Sequence, residues 1–594
     1  MGYTKNNISE AAKVKKGRNQ MKKQMESPQT FEKPMSGNQP KERLMQKGDA
    51  ALGIREYMYR VRWTTLCIAA VTFLTHGSIL FSQRFGIDTD IIMEGTHNFT
   101  LIGRPGLVWL AKFLELDWFN LYLAQIFVLV FMTLLPVSLG YLLYRMSGQI
   151  EHLNLSLLVL GLSVVVSPFW VEQIYFLNQS PQVLLVCVLI PVTVLLVEAA
   201  RTNISQKWYC LILSIALMQV IFACYQTVIM VYITTVTAAF LFSFLKEEYP
   251  VKKGLQWICF HGGIFCIGFI LQQIISALFY MKGSEYLTSQ LSWGKLSTTA
   301  VLINCLKGIV RSLTIVPPYY TGMYGVFCLL LIGASLYIVI RKKERKYLLF
   351  LAAEAFLMFT PYVFSFYFGS EVRPRMQLVM PLSQGCILYL TVLLCDDMKD
   401  SDTGADKKIL QILNLRTLRR VVALVLAVCL YRDTLSHLGY CTRFYYTDEW
   451  QYRYSNYMAE AILSEIENVK KQNGLDSSYD KILFLGSPDI PYNRISFRGD
   501  VIGVSSFCWD VDYLTRNRIG AFYRNTGHPL YISFADGESA AFHAYFRDYF
   551  GDAVDMMCVW PDTGCVQYLQ NDEIGLNYIV VKLGHNWGNI MNEN

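Results

Sequence analysis

Apolar residues in this chain gather into long runs almost free of charge. They cover about 63–82, 119–144, 154–171, 181–200, 208–225, 228–245, 255–281, 322–340, 347–368, 376–395 and 419–440. Uncharged runs of this length predict helices that cross a membrane. The stretch 208–245 holds no Asp, Glu, Lys or Arg. As one helix it would be about 57 Å long against a hydrocarbon core of about 30 Å, so it predicts two helices with a tight turn near Tyr225-Gln226. The last run is the weakest, because Arg432 and Asp433 interrupt it. The expected fold class is an α-helical polytopic membrane protein of about eleven transmembrane helices, followed by a C-terminal extracytoplasmic α/β domain.

The polar stretches divide the chain into a disordered basic cytoplasmic tail (1–58), a transmembrane region (59–440) and an extracytoplasmic α/β domain (441–594). The first apolar segment begins near Trp63 and is full length, so no cleavable signal peptide is expected. In the last region Ile462, Ile466 and Val469 mark one face of a helix ending near Gly474. Lys481–Leu485, Leu530–Phe534 and Tyr578–Leu583 are β-rich runs between turn signals, and Met556–Trp560 with Cys565–Leu569 suggest a hairpin.

Charge sets the expected orientation. Placing the N-terminus inside puts 31 Lys and Arg in the cytoplasmic segments and nine in the outer segments before the final region. The positive-inside rule then assigns the N-terminus to the cytoplasm, and an odd number of spans leaves the C-terminal domain of this multi-pass protein outside. The net charge of +7 follows from this topology and gives no argument for nucleic acid. With 53% hydrophobic and only 17% charged residues, the composition excludes an ordinary soluble enzyme. Most of the fifteen cysteines lie inside apolar runs, and no CxxC or Cys/His cluster suggests zinc. Cys558 and Cys565 flank the turn Pro561-Asp562-Thr563-Gly564 and could pair in an oxidising compartment or stay as free thiols.

Candidate chemistry concentrates in outer segments. After the first span the chain reads Arg84-Phe-Gly-Ile-Asp88-Thr-Asp90-Ile-Ile-Met-Glu94-Gly-Thr-His97, then Gly103-Arg104-Pro105. A carboxylate here could act as a general base, a pair could hold a divalent cation, or the loop could simply be solvated. Arg104 opens the short amphipathic stretch 106–114, and is suited either to hold a phosphate or to anchor at lipid headgroups. Arg373 and Arg375 stand at an outer end against the charge trend, so they either bind a lipid phosphate or pair with Glu371 or a loop acid. His76, Glu172, Gln173 and Gln226 are polar groups near the same face, where cavities are lined. Tyr286, Trp293, Tyr319 and Tyr320 could stack on a sugar or belong to an interfacial aromatic belt.

Four stretches carry a resemblance: Phe85-Gly-Ile-Asp88-Thr-Asp90, Gly103-Arg104, Cys224-Tyr225-Gln226-Thr227, and the tail pattern Trp560-Pro-Asp-Thr-Gly564-Cys-Val566 ending in Tyr578-Ile-Val-Val-Lys582-Leu583. Together they resemble the bacterial O-antigen glucosyl transferase family (Gtr, type II), within the GT-C class of membrane glycosyltransferases. The resemblance implies a polyprenyl-phosphate-sugar donor, a cell-surface glycan acceptor and the lipid bilayer as partners, with chemistry on the extracytoplasmic face of a bacterial plasma membrane. By analogy Asp88 or Asp90 would be the catalytic base. Glu94, Arg104, Gln226, Arg373 and Arg375 would bind substrate, and no cofactor is expected although a divalent cation is conceivable. A polysaccharide polymerase or ligase, or a transporter of lipid-linked glycans, is the competing class; transporters favour internal repeats and midplane charges, which are scarce here.

Overall fold

The computed structural model describes residues 53–82, 89, 103–116, 120–279, 291–397, 415–508, 513–528, 530, 532, 540–573 and 575–587. Residues 1–52 of the expected tail 1–58 lie outside the described residues, and 54–58, expected to be disordered, already belong to the first helix. Helix α1 (Ile54–His76) continues as a 3-10 turn to Phe81. It is followed by α2 (Pro105–Phe113), α3 (Leu121–Ser147), α4 (Leu153–Val165), α5 (Pro168–Ile174), α6 (Ser180–Thr202), α7 (Ile204–Phe222), α8 (Val228–Glu247) and α9 (Val251–Phe279). The bundle closes with α10 (Thr298–Leu313), a two-residue ribbon of β1 (Ile315–Val316) and β2 (Tyr320–Thr321), α11 (Met323–Lys342), α12 (Lys346–Phe359), α13 (Val363–Phe368), α14 (Val379–Asp397) and α15 (Leu415–Gln472).

Among the described residues nine helical segments are long and apolar enough to cross a membrane, and a tenth if the bent pair α4–α5 is one span. The shorter apolar helix α14 occupies the remaining expected position. The uncharged stretch 208–245 does break into two helices, α7 and α8, joined through residues 223–227. Large apolar side chains such as Trp63, Leu74, Ile212, Leu278 and Leu329 are exposed along the bundle, the arrangement that lipid rather than water favours. Alternating chain direction brings residues 103–116, 175–179, 223–227, 291–322 and 369–378 to one end of the bundle. The chain leaves α15 at the same end, called here the tail end.

Arg432 and Asp433 do not interrupt the final span. α15 runs unbroken for 58 residues, about 87 Å at 1.5 Å per residue. Arg432 faces outward, while the Asp433 carboxylate is buried and accepts from Gln384 Nε2 at 2.7 Å and from Thr321 Oγ1 at 2.5 Å. A buried charge is tolerable when its lone pairs are satisfied. The chain therefore passes position 440 inside one helix.

Beyond the bundle, α15 becomes a wall of a second core. Met458, Ala459, Ile462, Ile466 and Val469 bury its inner face against a three-stranded sheet, as the sequence periodicity predicts. The sheet has the order β3 (Ile482–Leu485), β5 (Leu576–Lys582), β4 (Val566–Asn571), with β3 parallel and β4 antiparallel to β5. Ile482 and Phe484 face α15 and α16 (Tyr513–Asn525), while Leu483 and Leu485 face α17 (Ala540–Met556). Both faces of β3 are covered, which explains its unbroken apolar run.

The expected hairpin is corrected. Met556 ends α17, whose Phe546, Phe550 and Val554 recur at helical spacing against the sheet. The hairpin pairs 566–571 with 576–582 instead, and Pro561-Asp562-Thr563-Gly564 only turns the chain into β4. Leu530 and Ile532 are buried but lie in no strand; residues 531, 533 and 534 lie outside the described residues. Cys558 and Cys565 are both free thiols, and burial pushes Cys565 up to about 11.

The tail pattern has a structural explanation in Lys582. Its ammonium is buried and donates to the carbonyls of Val554, Asp555 and Met557 at 2.7, 3.1 and 3.0 Å, closing the C-terminal end of α17. Lysine here satisfies orphan carbonyls and meets the negative helix end. Lys582→Met removes all three bonds while keeping the stem, and should destabilise the tail by about 1–3 kcal/mol, read as a lower melting temperature of its near-ultraviolet dichroism.

Candidate functional site

At the tail end, two of the sequence stretches meet. Arg104, at the N-terminal edge of α2, donates from Nε to Gln226 Oε1 at 3.0 Å, and its guanidinium lies 4.7 Å from the Tyr225 ring centroid. α2 reaches this position because Gly106 permits very close approach: its N–H donates to Ala223 O at 2.9 Å, and a Cβ there would stand 2.7 Å from the Ala223 carbonyl carbon. The turn between α7 and α8 thus seats α2 through its backbone and fixes Arg104 through Gln226. The Nε bond and the ring contact leave the guanidinium's outer edge as the part suited to an oxyanion.

Asp88, Asp90, Glu94 and His97 lie outside the described residues. Between the two aspartates Thr89 is fully buried, with Oγ1 3.5 Å from Asn178 Oδ1 in the turn between α5 and α6. Two residues before Asn178, the Phe176 ring lies 5.4 Å from the Arg375 guanidinium. Arg375 therefore stands at the turn that meets Thr89. Arg373 is exposed beside it. Neither arginine pairs with Glu371, as had been one expectation; Glu371 is taken by Arg311 at 2.5 Å. Among the described residues no group of three or more His, Cys, Asp or Glu is arranged to hold a metal ion.

Of the other polar groups of this end, Gln173 is buried with neither side-chain atom hydrogen-bonded among the described residues, while His76 and the aromatic rings have structural partners. His76 is buried with Nε2 2.8 Å from Val165 O and Nδ1 2.8 Å from the Tyr445 hydroxyl. A carbonyl can only accept, so Nε2 carries the proton and Nδ1 accepts from the tyrosine. Tyr319 stacks on Phe169 at 5.4 Å and Tyr320 meets the same ring edge-on at 5.5 Å, and the Trp293 indole donates to Phe366 O at 2.8 Å, so these rings serve the bundle itself; Tyr286 lies outside the described residues.

A further element escaped the sequence reading. The segment 492–504 leaves the tail and folds back onto the bundle. Arg443 stacks on Phe497 at 3.4 Å and donates to Ile495 O at 2.6 Å, Thr447 Oγ1 accepts from Phe497 N–H at 2.8 Å, and Ile502 is buried in the core of the bundle. Its tip closes on Glu172 of α5. The fully buried Glu172 carboxylate accepts from the backbone N–H of Asp500 at 2.8 Å and of Val501 at 3.1 Å, and from the Tyr319 hydroxyl. Burial and the adjacent carboxylate hold Tyr319 well above the usual phenol range, so it remains a donor. Gly499 is required at the tip, because a methyl group there would overlap the Glu172 carboxylate. Val501 and Val504 then pack on Phe176. A short Arg-Gly-Asp with a second glycine four residues on carries no signal that separates it from any surface turn.

The family profile of Glucosyl transferase GtrII matches residues 77–374, half of the chain. The chain belongs to the GtrII glucosyl transferase family. Its many apolar helices are those of a multi-span membrane protein, and the matched segment runs from the end of α1 past Arg104, Glu172 and the Gln226 turn to Arg373. Among solved structures the chain is similar to the oligosaccharyltransferase of Archaeoglobus fulgidus tethered to an acceptor peptide, at 10% identity and a TM-score of 0.35. That similarity covers 66% of this chain and 57% of the other, so it spans little more than half of that protein's length and carries no inference about the site. No curated protein matches the chain.

Proposed function

We propose that this GtrII-family protein moves a hexose, by the family's name glucose, from a polyprenyl-phosphate sugar to a cell-surface glycan on the extracytoplasmic face of a bacterial plasma membrane. The observation that carries this reading is the Arg104–Gln226 contact beside Tyr225, which joins two separated stretches of the family segment into one cation-bearing cluster at the tail end. The positive-inside count supports the orientation, since the tail end holds few basic residues.

The chemistry asks little of the protein. Asp88 or Asp90 takes the proton from the acceptor hydroxyl, whose oxygen attacks the anomeric carbon as the bond to phosphate breaks. One displacement inverts that carbon. The departing phosphate is a stable anion and needs cations rather than a strong acid, a role for Arg104, Arg373 and Arg375, with Gln226 orienting Arg104 and Glu94 available to sugar hydroxyls. No cofactor is required on this route.

The test is transfer by the detergent-purified protein from polyprenyl-phosphate-glucose to envelope glycan. Release of polyprenyl phosphate coupled to glycan labelling is expected, and Arg104→Lys, which loses the fork that meets both Gln226 and a phosphate, should raise the donor KM about tenfold. Absence of polyprenyl phosphate release from every sugar donor tried would sink the proposal.

A further inference from the structure

A groove follows the seam where α4, α14 and α15 meet. It encloses about 520 Å³, within the range of sites that hold a small molecule. Leu155 and Val159 of α4, Val392 of α14, and Ala423, Ala427 and Leu430 of α15 line it. Val159 and Leu430 are buried, whereas Leu155 and Tyr431 are exposed, so the groove opens sideways from the bundle. Around membrane-spanning helices the medium there is hydrocarbon. The space exists because α15 carries alanine at 423 and 427, four positions apart on one helical face.

The dimensions select the occupant. On α15 the lining runs from Ala423 to Thr434, about 16 Å, and on α4 from His152 to Leu162, about 15 Å. Both equal half of a hydrocarbon core of about 30 Å, the depth of one leaflet. That half lies away from the tail, since α4 and α15 begin and α14 ends there. A polyprenyl donor with its phosphate at the tail end would enter from the opposite side. The groove's own stripe continues outward to a cation: Arg420 is exposed three positions before Ala423, on the same helical face, and Arg416 and Arg419 precede it in the helix. Basic clusters at the edge of a span attract anionic lipid.

We infer that this groove is a binding site for an anionic phospholipid of the leaflet away from the tail, with one acyl chain lying along Ala423 and Ala427 and the phosphate meeting Arg420. The chain fills the seam between the rest of the bundle and α15, the helix that carries the tail. The lipid is a resident of the fold and takes no part in the transfer proposed above.

The test delipidates the full-length protein in detergent and titrates it with dioleoyl phosphatidylglycerol or dioleoyl phosphatidylcholine, counting bound lipids by native mass spectrometry. Wild type should hold one phosphatidylglycerol more tightly than any further copy, and about fivefold more tightly than phosphatidylcholine. Ala427→Trp, which puts an indole into the groove, should weaken that first site about tenfold or more. Leu424→Trp puts the same indole at an exposed position outside the lining and should bind as wild type does. Ala423→Leu narrows the groove by less and should weaken the site in the same direction, which keeps the test decisive if Ala427→Trp fails to fold. Arg420→Gln, at an exposed position, should keep the site and lose the preference for the anionic headgroup. Wild type without a distinct first site overturns the inference, and so does equal affinity in wild type and the groove variants, or an equal loss in Leu424→Trp. A headgroup preference that is absent in wild type or survives Arg420→Gln overturns the placing of the phosphate. If polyprenyl phosphate displaces phosphatidylglycerol from the first site, the groove belongs to the donor's chain and the inference falls.

Discussion

Replacing the base among Asp88 and Asp90 by asparagine is expected to slow transfer by about 10²–10⁴-fold at unchanged donor affinity. Asparagine keeps the size and hydrogen-bonding reach of aspartate but cannot take a proton, so the deficit belongs to the chemical step. Each variant is made singly, at matched expression, with donor binding measured in parallel. The variant that loses transfer names the base, and the other should stay within about tenfold, the scale of one lost hydrogen bond to substrate. Both flank Thr89 in sequence, which is buried with Oγ1 3.5 Å from Asn178, two residues past the Phe176 that Arg375 meets. If both variants transfer at the wild-type rate, the base is elsewhere.

The second large effect is expected at Glu172. Glu172→Leu fills the same volume but leaves three donors, the N–H groups of Asp500 and Val501 and the Tyr319 hydroxyl, without their acceptor. Stranding a buried donor costs about 1–3 kcal/mol, so the tip of the segment should leave its seat. Trypsin should then cut after Arg498 much faster than in wild type, and transfer should fall with it. Glu172→Gln retains one acceptor oxygen and should be intermediate in both measurements. An unchanged cleavage rate in Glu172→Leu would show that Ile502 and Phe497 alone hold the segment.

The helices were legible because lipid imposes a simple code: a span must be long and uncharged, and 208–245 was divisible by length alone. Asp433 was misread as a break because a charge in an apolar run signals an end only when nothing pairs with it, and its partners Gln384 and Thr321 are 49 and 112 residues away. The hairpin error had a local cause. Pro-Asp-Thr-Gly is a turn in any fold, and the residues before it show as helix through Phe546, Phe550 and Val554, spaced four apart against the sheet. In the site, Arg104 and Gln226 were each singled out, but their contact spans 122 residues and depends on Gly106 seating a helix on a turn. The grip of Glu172 on Asp500 joins residues 328 apart through backbone N–H groups, which every residue but proline possesses, so no side-chain pattern announces it.

The strand order of the tail has a consequence for biosynthesis. β5, the last of the three strands in the chain, is the middle strand of the sheet. While the ribosome is still making residues 576–582, β3 and β4 have no common partner, and Phe484 and Val566 have no sheet to close over. The spans can already be inserted at that stage, with α15 projecting from the membrane as an uncovered amphipathic rod. Completion of the tail is therefore a late step that waits on one seven-residue strand, and a chain halted between α15 and β5 would have every span made and its tail sheet unassembled.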